Sequence, residues 1–491
     1  MINRRTFLGT VGAGALGLAG ATWLTGCGRT QAARSSTVKP NFVFILIDDM
    51  GWRDLACYGS TFYETPHIDR LAAQGMRFTD AYAACPVCSP TRASILTGKY
   101  PARLNLTDWI PGHKRPFARL RVPEFNQELP LAEVTIAEAL KPAGYVSASI
   151  GKWHLGTKPF WPEKQGFDVN FGGTHQGQPP SYFAPYKIPN ISKAADGEYL
   201  TDRLADEAAA FIEKNRDRPF FLYLAHYAVH TPLMARQEVI AKYAAKAKPD
   251  QPQRNAKYAA MVQSVDDSVG RIMAKLDALG LADRTVVFFM SDNGGLIGPT
   301  SNLPLRAGKG SLYEGGIREP LIVRWPGVVP AGVAEKAVVT SVDFFPTILA
   351  LAGVAPAAPD PSIDGASLVP LLAPQGELAP VPVYWHYPHY HPGGATPGGV
   401  IRDGDYKLIE FFEDGRVELY NLKEDLGEKK DLAAAMPEKA AQLRRNLADW
   451  RRKTGARMPT PNPDYDPQKE PKRADKRSPP PLADAGPLFE E

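Results

Sequence analysis

The stretch NFVFILIDD, residues 41–49, carries six apolar residues in a row and then stops on two carboxylates. A strand with one wet face alternates apolar and polar side chains, so a run this continuous suits a strand covered on both sides, as in a parallel sheet. The pattern recurs in YVSASIGKWH (145–154), PFFLYLAHYAVH (219–230) and TVVFFMSDNGG (285–295). Helical spacing fills the intervals. It is clearest in KYAAMVQSVDDSVGRIMAKLDALG (257–280), where Met261, Val262, Val265, Val269, Ile272, Met273 and Leu276 recur along one face and Gly280 closes the segment. Strands alternating with helices predict an α/β fold, a doubly wound and mostly parallel sheet, over residues 39–370.

Polar residues follow each apolar run directly: Asp48 and Asp49, Lys152 and His154, His226 and His230, Asp292 and Asn293. In open α/β sheets ligands bind outside the carboxyl ends of the strands, so residues far apart in sequence converge on one rim. Beyond residue 375 the pattern changes. GVIRDGDYKLIEFFEDGRVELYNL (399–422) alternates around Asp414 and Gly415, a dipeptide that favours a tight hairpin, and PEKAAQLRRNLADWRRKTG (437–455) reads as a helix. These define a smaller C-terminal antiparallel α+β domain, 375–456, followed by a Pro-rich, charged tail, 457–491, that lacks periodicity.

The chain has 491 residues, enough to bury a large core, and a formal charge of +4 from 57 basic and 53 acidic side chains. So small an imbalance does not imply nucleic acid as a partner. Residues 1–26 read as an export leader: paired arginines in NRRTFLG (3–9), a weakly apolar Gly/Ala-rich run, then LTGC (24–27). The first motif resembles a twin-arginine export signal, and the second resembles the box at which bacterial lipoproteins are cleaved and lipidated, here on Cys27. Together they imply the twin-arginine export machinery as a partner and a lipid-anchored protein of the periplasm or outer membrane. A single membrane-anchoring helix is the alternative. With Cys27 lipidated, Cys57, Cys85 and Cys88 remain, too few for a disulfide scaffold, and a Cys57 to Cys85 bridge stays open.

ACPVCSPTRASILTG, residues 84–98, holds two of the four cysteines at Cys-x-x-Cys spacing. That spacing admits a metal or redox pair, but no second cluster accompanies it. Residues 89–98 point instead to a helix: Ser89 as its cap, Pro90 in the first turn and Gly98 as a stop. Cys88 then lies at the positive end of a helix dipole, where an anionic substrate is favoured.

Cys88, Ser89, Pro90, Thr91 and Arg92, continuing into ASILTGKY, resemble the signature of the sulfatase family, formylglycine-dependent enzymes of the alkaline-phosphatase superfamily. The core of that signature is Cys-x-Pro-x-Arg. Thr91 stands where the family more often has Ser or Ala, which leaves the three core positions intact. DDMGWRDLACYG, GKWHLG, HYAVHTPL, SDNGG, LRAGKGSLYEGGIREPLIVRWPG and DFFPTILALAGV are also similar to family segments, in family order, and the resemblance covers residues 39–450.

The resemblance implies that Cys88 is oxidised to formylglycine by a formylglycine-generating maturation enzyme and that the hydrated aldehyde is the nucleophile. Asp48, Asp49, Asp292 and Asn293 on their own could be an acidic turn and a hairpin. As strand-end pairs they offer hard oxygen donors, which suit Ca2+ or Mg2+ better than zinc. The family assigns these four positions, with residue 88, to one divalent cation, usually Ca2+. Lys152 and Lys309 would hold sulfate oxygens, Arg92 would fix the formylglycine oxygens and the cation ligands, His154 would act as base, and His230, helped by Lys309, would protonate the leaving oxygen. His226 is expected to pack beside the site, and Glu314 and Arg318 to form a structural pair.

The expected function is hydrolysis of an organic sulfate monoester to an alcohol and inorganic sulfate. YWHYPHYHPGG (384–394) sets His386, His389 and His391 among aromatic residues, which suits either a metal tract or a loop that roofs the pocket and faces a sugar ring. The second reading makes these histidines substrate-binding and the substrate a sulfated carbohydrate. A phosphonate or phosphate ester hydrolase on the same scaffold, and a non-catalytic lipoprotein that binds sulfated glycans, are the alternatives. Oligomeric state and the hydroxyl position attacked are not written in the sequence.

Overall fold

The computed structural model describes residues 39–354, 360–374 and 376–470. The leader, Cys27 and the end of the tail lie outside the described residues. Nine strands make the main sheet: β1 (Asn41–Ile47), β2 (Met76–Tyr82), β4 (Val146–Gly151), β5 (Val169–Phe171), β6 (Phe220–Ala225), β7 (Thr285–Ser291), β8 (Arg318–Arg324), β9 (Val333–Glu335) and β10 (Val339–Thr340). A two-stranded ribbon pairs β3 (Leu120–Arg121) with β15 (Thr460–Pro461), so the start of the tail lies along the body of the protein. The second sheet has four antiparallel strands in the order β11 (Val383–Tyr387), β12 (Gly398–Asp403), β13 (Tyr406–Phe411) and β14 (Val417–Asn421).

The main sheet runs β10-β2-β8-β7-β1-β6-β4-β5, with β9 also on β2. Only β8 runs against its neighbours, antiparallel to both β7 and β2. Every residue of β1, β4, β6 and β7 is buried. Alternation decides which layer each side chain joins. From β1, Val43, Ile45 and Ile47 pack toward the helix Ala256–Ala278, whereas Phe42, Phe44 and Leu46 pack toward the helices Cys88–Thr97 and Phe344–Leu351. Helices therefore cover both faces, and the uninterrupted apolar runs follow from that.

The register sets the rim. β1 pairs with β7 so that Ile47 stands opposite Ser291, and with β6 so that Leu46 stands opposite Ala225, which in turn faces Gly151 of β4. Four central strands thus end side by side, each releasing its polar residues at one level.

The second sheet buries Ile401, Leu408 and Leu419 under the helix Pro437–Thr454 and turns Trp385, Val400 and Ile409 toward the main body. Gly415, at φ 72°, makes the turn between β13 and β14. Ions pin the junction. Fully buried Lys407 reaches Glu314 at 2.9 Å and Glu428 at 2.8 Å, Glu314 also takes Arg318 at 3.0 Å, and Arg318 and Arg402 both hold Asp80 at 2.8 Å. A buried charge left without its partner is costly, so this network fixes how the loop carrying Lys309 meets the second sheet.

Candidate active site

Cys88 opens the helix Cys88–Thr97 as its first residue, with extended Val87 as the cap. Ser89 is therefore not the cap expected from sequence. The helix begins one position earlier, and the Ser89 hydroxyl instead accepts the Ile110 amide at 3.2 Å. One turn further on, Arg92 points back to the rim and donates Nε to Asp292 Oδ2 at 2.9 Å, with an Nη 2.7 Å from the same oxygen and 3.7 Å from Asp48 Oδ1. Its other Nη donates to the Lys152 carbonyl at 3.0 Å. Its planar fork lets one side chain, a helical turn from Cys88, reach all three.

The acidic side is assembled from two adjacent strand ends. Asp292 Oδ1 accepts the Asp49 amide at 3.2 Å, and Asn293 Nδ2 donates to Asp49 Oδ1 at 2.8 Å. Asp49 and His154 have φ of 61° and 58°, left-handed values that cost a non-glycine residue about 1 to 3 kcal/mol. Ladder-like bonds hold the first turn, from the Asp48 amide to Ala228 at 2.9 Å and from the Val229 amide to the Asp48 carbonyl at 2.8 Å.

Cations face these carboxylates. Lys152 Nζ is 2.7 Å from Asp48 Oδ2, and Lys309 Nζ is 2.7 Å from Asp49 Oδ1 and 3.6 Å from Cys88 Sγ. His230 Nε2 is 3.5 Å from Asp49 Oδ2. Ligand atoms of Asp48, Cys88 and Asp292 lie within 4.8 Å of one another, as do those of Asp49, Cys88 and His230. The sequence-predicted set Asp48, Asp49, Cys88, Arg92, Lys152, His154, His230, Asp292, Asn293 and Lys309 thus meets on the rim.

Burial and crowding with Asp292 and Asp49 push Asp48 up to about 8 against the pull of Lys152 and Arg92. Burial also pushes Asp49 up, but neighbouring positive charge, that of Lys309 first, outweighs it and holds that carboxyl well below its usual range. Burial raises the Cys88 thiol to about 11 despite the two lysines, so it is not a thiolate near neutral pH. Burial and the neighbouring cations keep His154 and His230 neutral, His230 at about 3.

The donor set fits a hard divalent cation. Asp48 Oδ1 and Asn293 Oδ1 are buried without a hydrogen-bond partner, beside the Asp49 and Asp292 carboxylates. Four oxygen donors and no imidazole among them match calcium or magnesium chemistry. A cation there would offset the crowding that raises Asp48.

The Sulfatase family matches residues 40–354. The chain belongs to the sulfatase family. A second match, to the C-terminal region of N-sulphoglucosamine sulphohydrolase, covers residues 308–453 of this sulfatase. Human N-acetylgalactosamine-6-sulfatase is 40% identical over 388 residues, covering 72% of this chain and 70% of the relative. Among solved structures, Ps i-CgsB in complex with k-i-k-neocarrahexaose superposes with a TM-score of 0.71 at 32% identity, covering 87% of this chain and 94% of that one. A structure in complex with its substrate D-glucosamine-2-N,6-O-disulfate superposes with a TM-score of 0.70 at 25% identity, covering 85% and 98%. The sulfatase is a sulfuric ester hydrolase.

The three histidines of the second sheet part company. His386 lies in β11, and its Nε2 meets the Arg457 carbonyl at 2.9 Å; His389 Nε2 meets Thr107 Oγ1 at 2.8 Å. The structure does not bring these two to the carboxylates. His391 packs on Gly310, next to Lys309. His226 is buried against the helix Ala256–Ala278, its Nε2 2.9 Å from Ser268 Oγ.

Sequence reasoning missed two contributors. The Ile110 carbonyl lies 2.6 Å from His154 Nε2 and fixes that tautomer, and Asn302 Nδ2 donates to the carbonyls of Gly295 at 2.8 Å and Ala307 at 3.0 Å. The first is a backbone atom without a side-chain signature. The second sits in an unremarkable polar loop, TSNLPL.

Proposed function

We propose that this sulfatase hydrolyses sulfate monoesters of carbohydrates, with Cys88 matured to formylglycine and a Ca2+ ion, or Mg2+ in its place, held by Asp48, Asp49, Asp292, Asn293 and residue 88. The observation that carries the reading is the placement of Cys88: first residue of a buried helix, against two clusters of ligand atoms, with Lys309 at 3.6 Å and a thiol held protonated. A thiol in that state is a poor nucleophile, so the site is built for what replaces it. A hydrated aldehyde there supplies one hydroxyl to attack sulfur and a second whose deprotonation expels sulfate. A cation held by these residues would supply positive charge to a bound sulfate.

The chain's own residues supply the rest. Lys152 and Lys309 present ammonium groups to the anionic ester, and Arg92 braces Asp48 and Asp292. A carbonyl oxygen only accepts, so His154 Nε2 carries the proton it gives to Ile110, and Nδ1, buried and unpartnered, keeps a free lone pair. That is a base poised to take a proton at Nδ1. By the same logic His230 donates from Nδ1 to the Thr231 carbonyl at 2.8 Å and turns Nε2 toward Asp49. Its neighbours keep it neutral with Nε2 unprotonated, so to act as an acid it must first take up a proton from water at Nε2, which the negative charge that substrate brings favours. It then passes that proton to the leaving oxygen; Lys309 is held protonated beside it.

Relatives support the carbohydrate: one is named for N-acetylgalactosamine 6-sulfate chemistry and one is bound to a disulfated glucosamine. Neither alternative reading gains from these comparisons. The export leader and lipidation at Cys27 complete the proposal, placing the enzyme in the periplasm or on the outer membrane after passage through the twin-arginine machinery and action of a maturation enzyme. Mass spectrometry of the peptide containing residue 88, from protein made in its native host, tests the core of it. The expected result is loss of the thiol sulfur; an intact thiol in active enzyme overturns it.

A further inference from the structure

We infer that His391 is a specificity-determining residue, an N–H donor to an uncharged oxygen of the alcohol half of the substrate, next to the sulfate being cleaved. The inference rests on the reading of the substrate as a sulfated sugar.

Position comes first. A Cβ added at Gly310 would lie 2.1 Å from His391 Nδ1 and 2.2 Å from Cγ, so the ring is seated on the backbone that directly follows Lys309. Gly310, at φ 81°, is there because only a residue without Cβ tolerates that approach. The ring is delivered by the segment between β11 and β12, whose turn closes on itself: the His391 amide donates to the Ala395 carbonyl at 3.0 Å, and the Gly394 amide to the His391 carbonyl at 2.9 Å. A residue of the second sheet is thereby carried to within electrostatic reach of both Lys309 and Asp49.

Chemistry follows from the tautomer. Nδ1 accepts the Gly393 amide at 3.0 Å, so the ring proton is on Nε2. Nε2 has no hydrogen-bond partner among the described residues and is not one of their fully buried, unpartnered atoms, so it keeps some access to solvent in a residue that is 7% exposed overall. Burial, then the Lys309 charge, depress its basicity to about 3, and the group works as a neutral donor. A neutral N–H adds little to a sulfate already facing two ammonium groups; its natural acceptor is a hydroxyl, ring or glycosidic oxygen. His386 and His389 have both spent Nε2 on protein partners and have no such atom to offer.

The test compares kcat/KM on N-acetylgalactosamine 6-sulfate and other monosulfated hexoses with kcat/KM on 4-nitrophenyl sulfate, whose alcohol half carries no hydroxyl. In His391→Ala the sugar-to-aryl ratio is expected to fall about 5- to 10-fold, the worth of one neutral hydrogen bond. His391→Gln, which keeps an N–H donor and preserves more of the packing, should restore part of the ratio. An unchanged ratio in both variants, whether because both activities fall together or because neither moves, overturns the inference. Wild-type enzyme that turns over the aryl ester but no sugar sulfate overturns the carbohydrate reading, and the inference with it.

Discussion

Lys309 Nζ lies 3.6 Å from Cys88 Sγ although 221 positions separate the two residues. The same ammonium is 2.7 Å from Asp49 Oδ1, so one side chain touches both Cys88 and the acidic cluster. Burial works against its charge, but the Asp49 carboxylate beside it outweighs that and keeps it protonated. Lys309→Ala removes a charge-stabilising donor from a water-poor site, and kcat on 4-nitrophenyl sulfate should fall about 100- to 1,000-fold. Turnover within threefold of wild type would remove Lys309 from the chemistry.

Much of this arrangement was legible in residues 41–49 and their counterparts. A continuous apolar run tells of burial on both faces, and a strand that ends in register with its neighbours must deliver its next residues to the same rim. Cys88 and Arg92 were legible through the resemblance of residues 88–92 to the sulfatase signature, and spacing four along a helix puts both on one face. Contacts to backbone were not. Nothing in the composition of residues 107–113 announces that the Ile110 carbonyl sets the His154 tautomer, and Ser89 looked like a cap because a hydroxyl before a proline usually is one. Alternation also marks His386 as inward or outward without saying what it meets, which is why the three histidines could not be told apart until their partners were seen.

Cation binding is testable without turnover. Asp48, Asp49 and Asp292 crowd together in a buried site, and a bound dication would relieve that repulsion in the folded state alone. Protein stripped with a chelator should melt lower, and Ca2+ at 100 times its Kd should restore about 2.7 kcal/mol. Asn293→Ala, which deletes one unpartnered oxygen, should weaken that response. Melting curves insensitive to both Ca2+ and Mg2+ would contradict the assignment of the four oxygen donors.

His386 supplies a pH signature away from the rim. Burial, partly opposed by the bond to the Arg457 carbonyl, lowers it from its ordinary value near 6.5 to about 4. The unfolded chain therefore binds a proton that the folded chain refuses, and stability from this residue is fully present above pH 6.5 and lost as pH falls toward 4. His386→Gln keeps an N–H donor but cannot titrate. Between pH 6.5 and 4, wild type should lose about 3 kcal/mol relative to the variant in urea unfolding. Parallel pH profiles for the two proteins would show that His386 is not held neutral.

Asn302 ties the acidic side of the site to Lys309. Its Nδ2 bonds the Gly295 carbonyl, two residues past Asn293, and the Ala307 carbonyl, two residues before Lys309. The Lys309 amide donates to the same Gly295 carbonyl at 3.1 Å, so one loop is clamped to the other at adjoining points. Ala307 sits at φ 63°, a conformation that the clamp helps to hold. Asn302→Ala frees the loop and should lower kcat/KM about 10- to 100-fold by misplacing the ammonium group. Asn302→Asp is the sharper experiment, because it keeps the shape but turns the donor into an oxygen facing two carbonyl oxygens. Repulsion should then make the isosteric Asp variant less active than the truncated Ala variant, the reverse of what side-chain volume predicts. Steady-state kinetics on 4-nitrophenyl sulfate, with melting temperatures to check folding, decide the order, and an Asp variant as active as wild type would show that the amide protons clamp nothing.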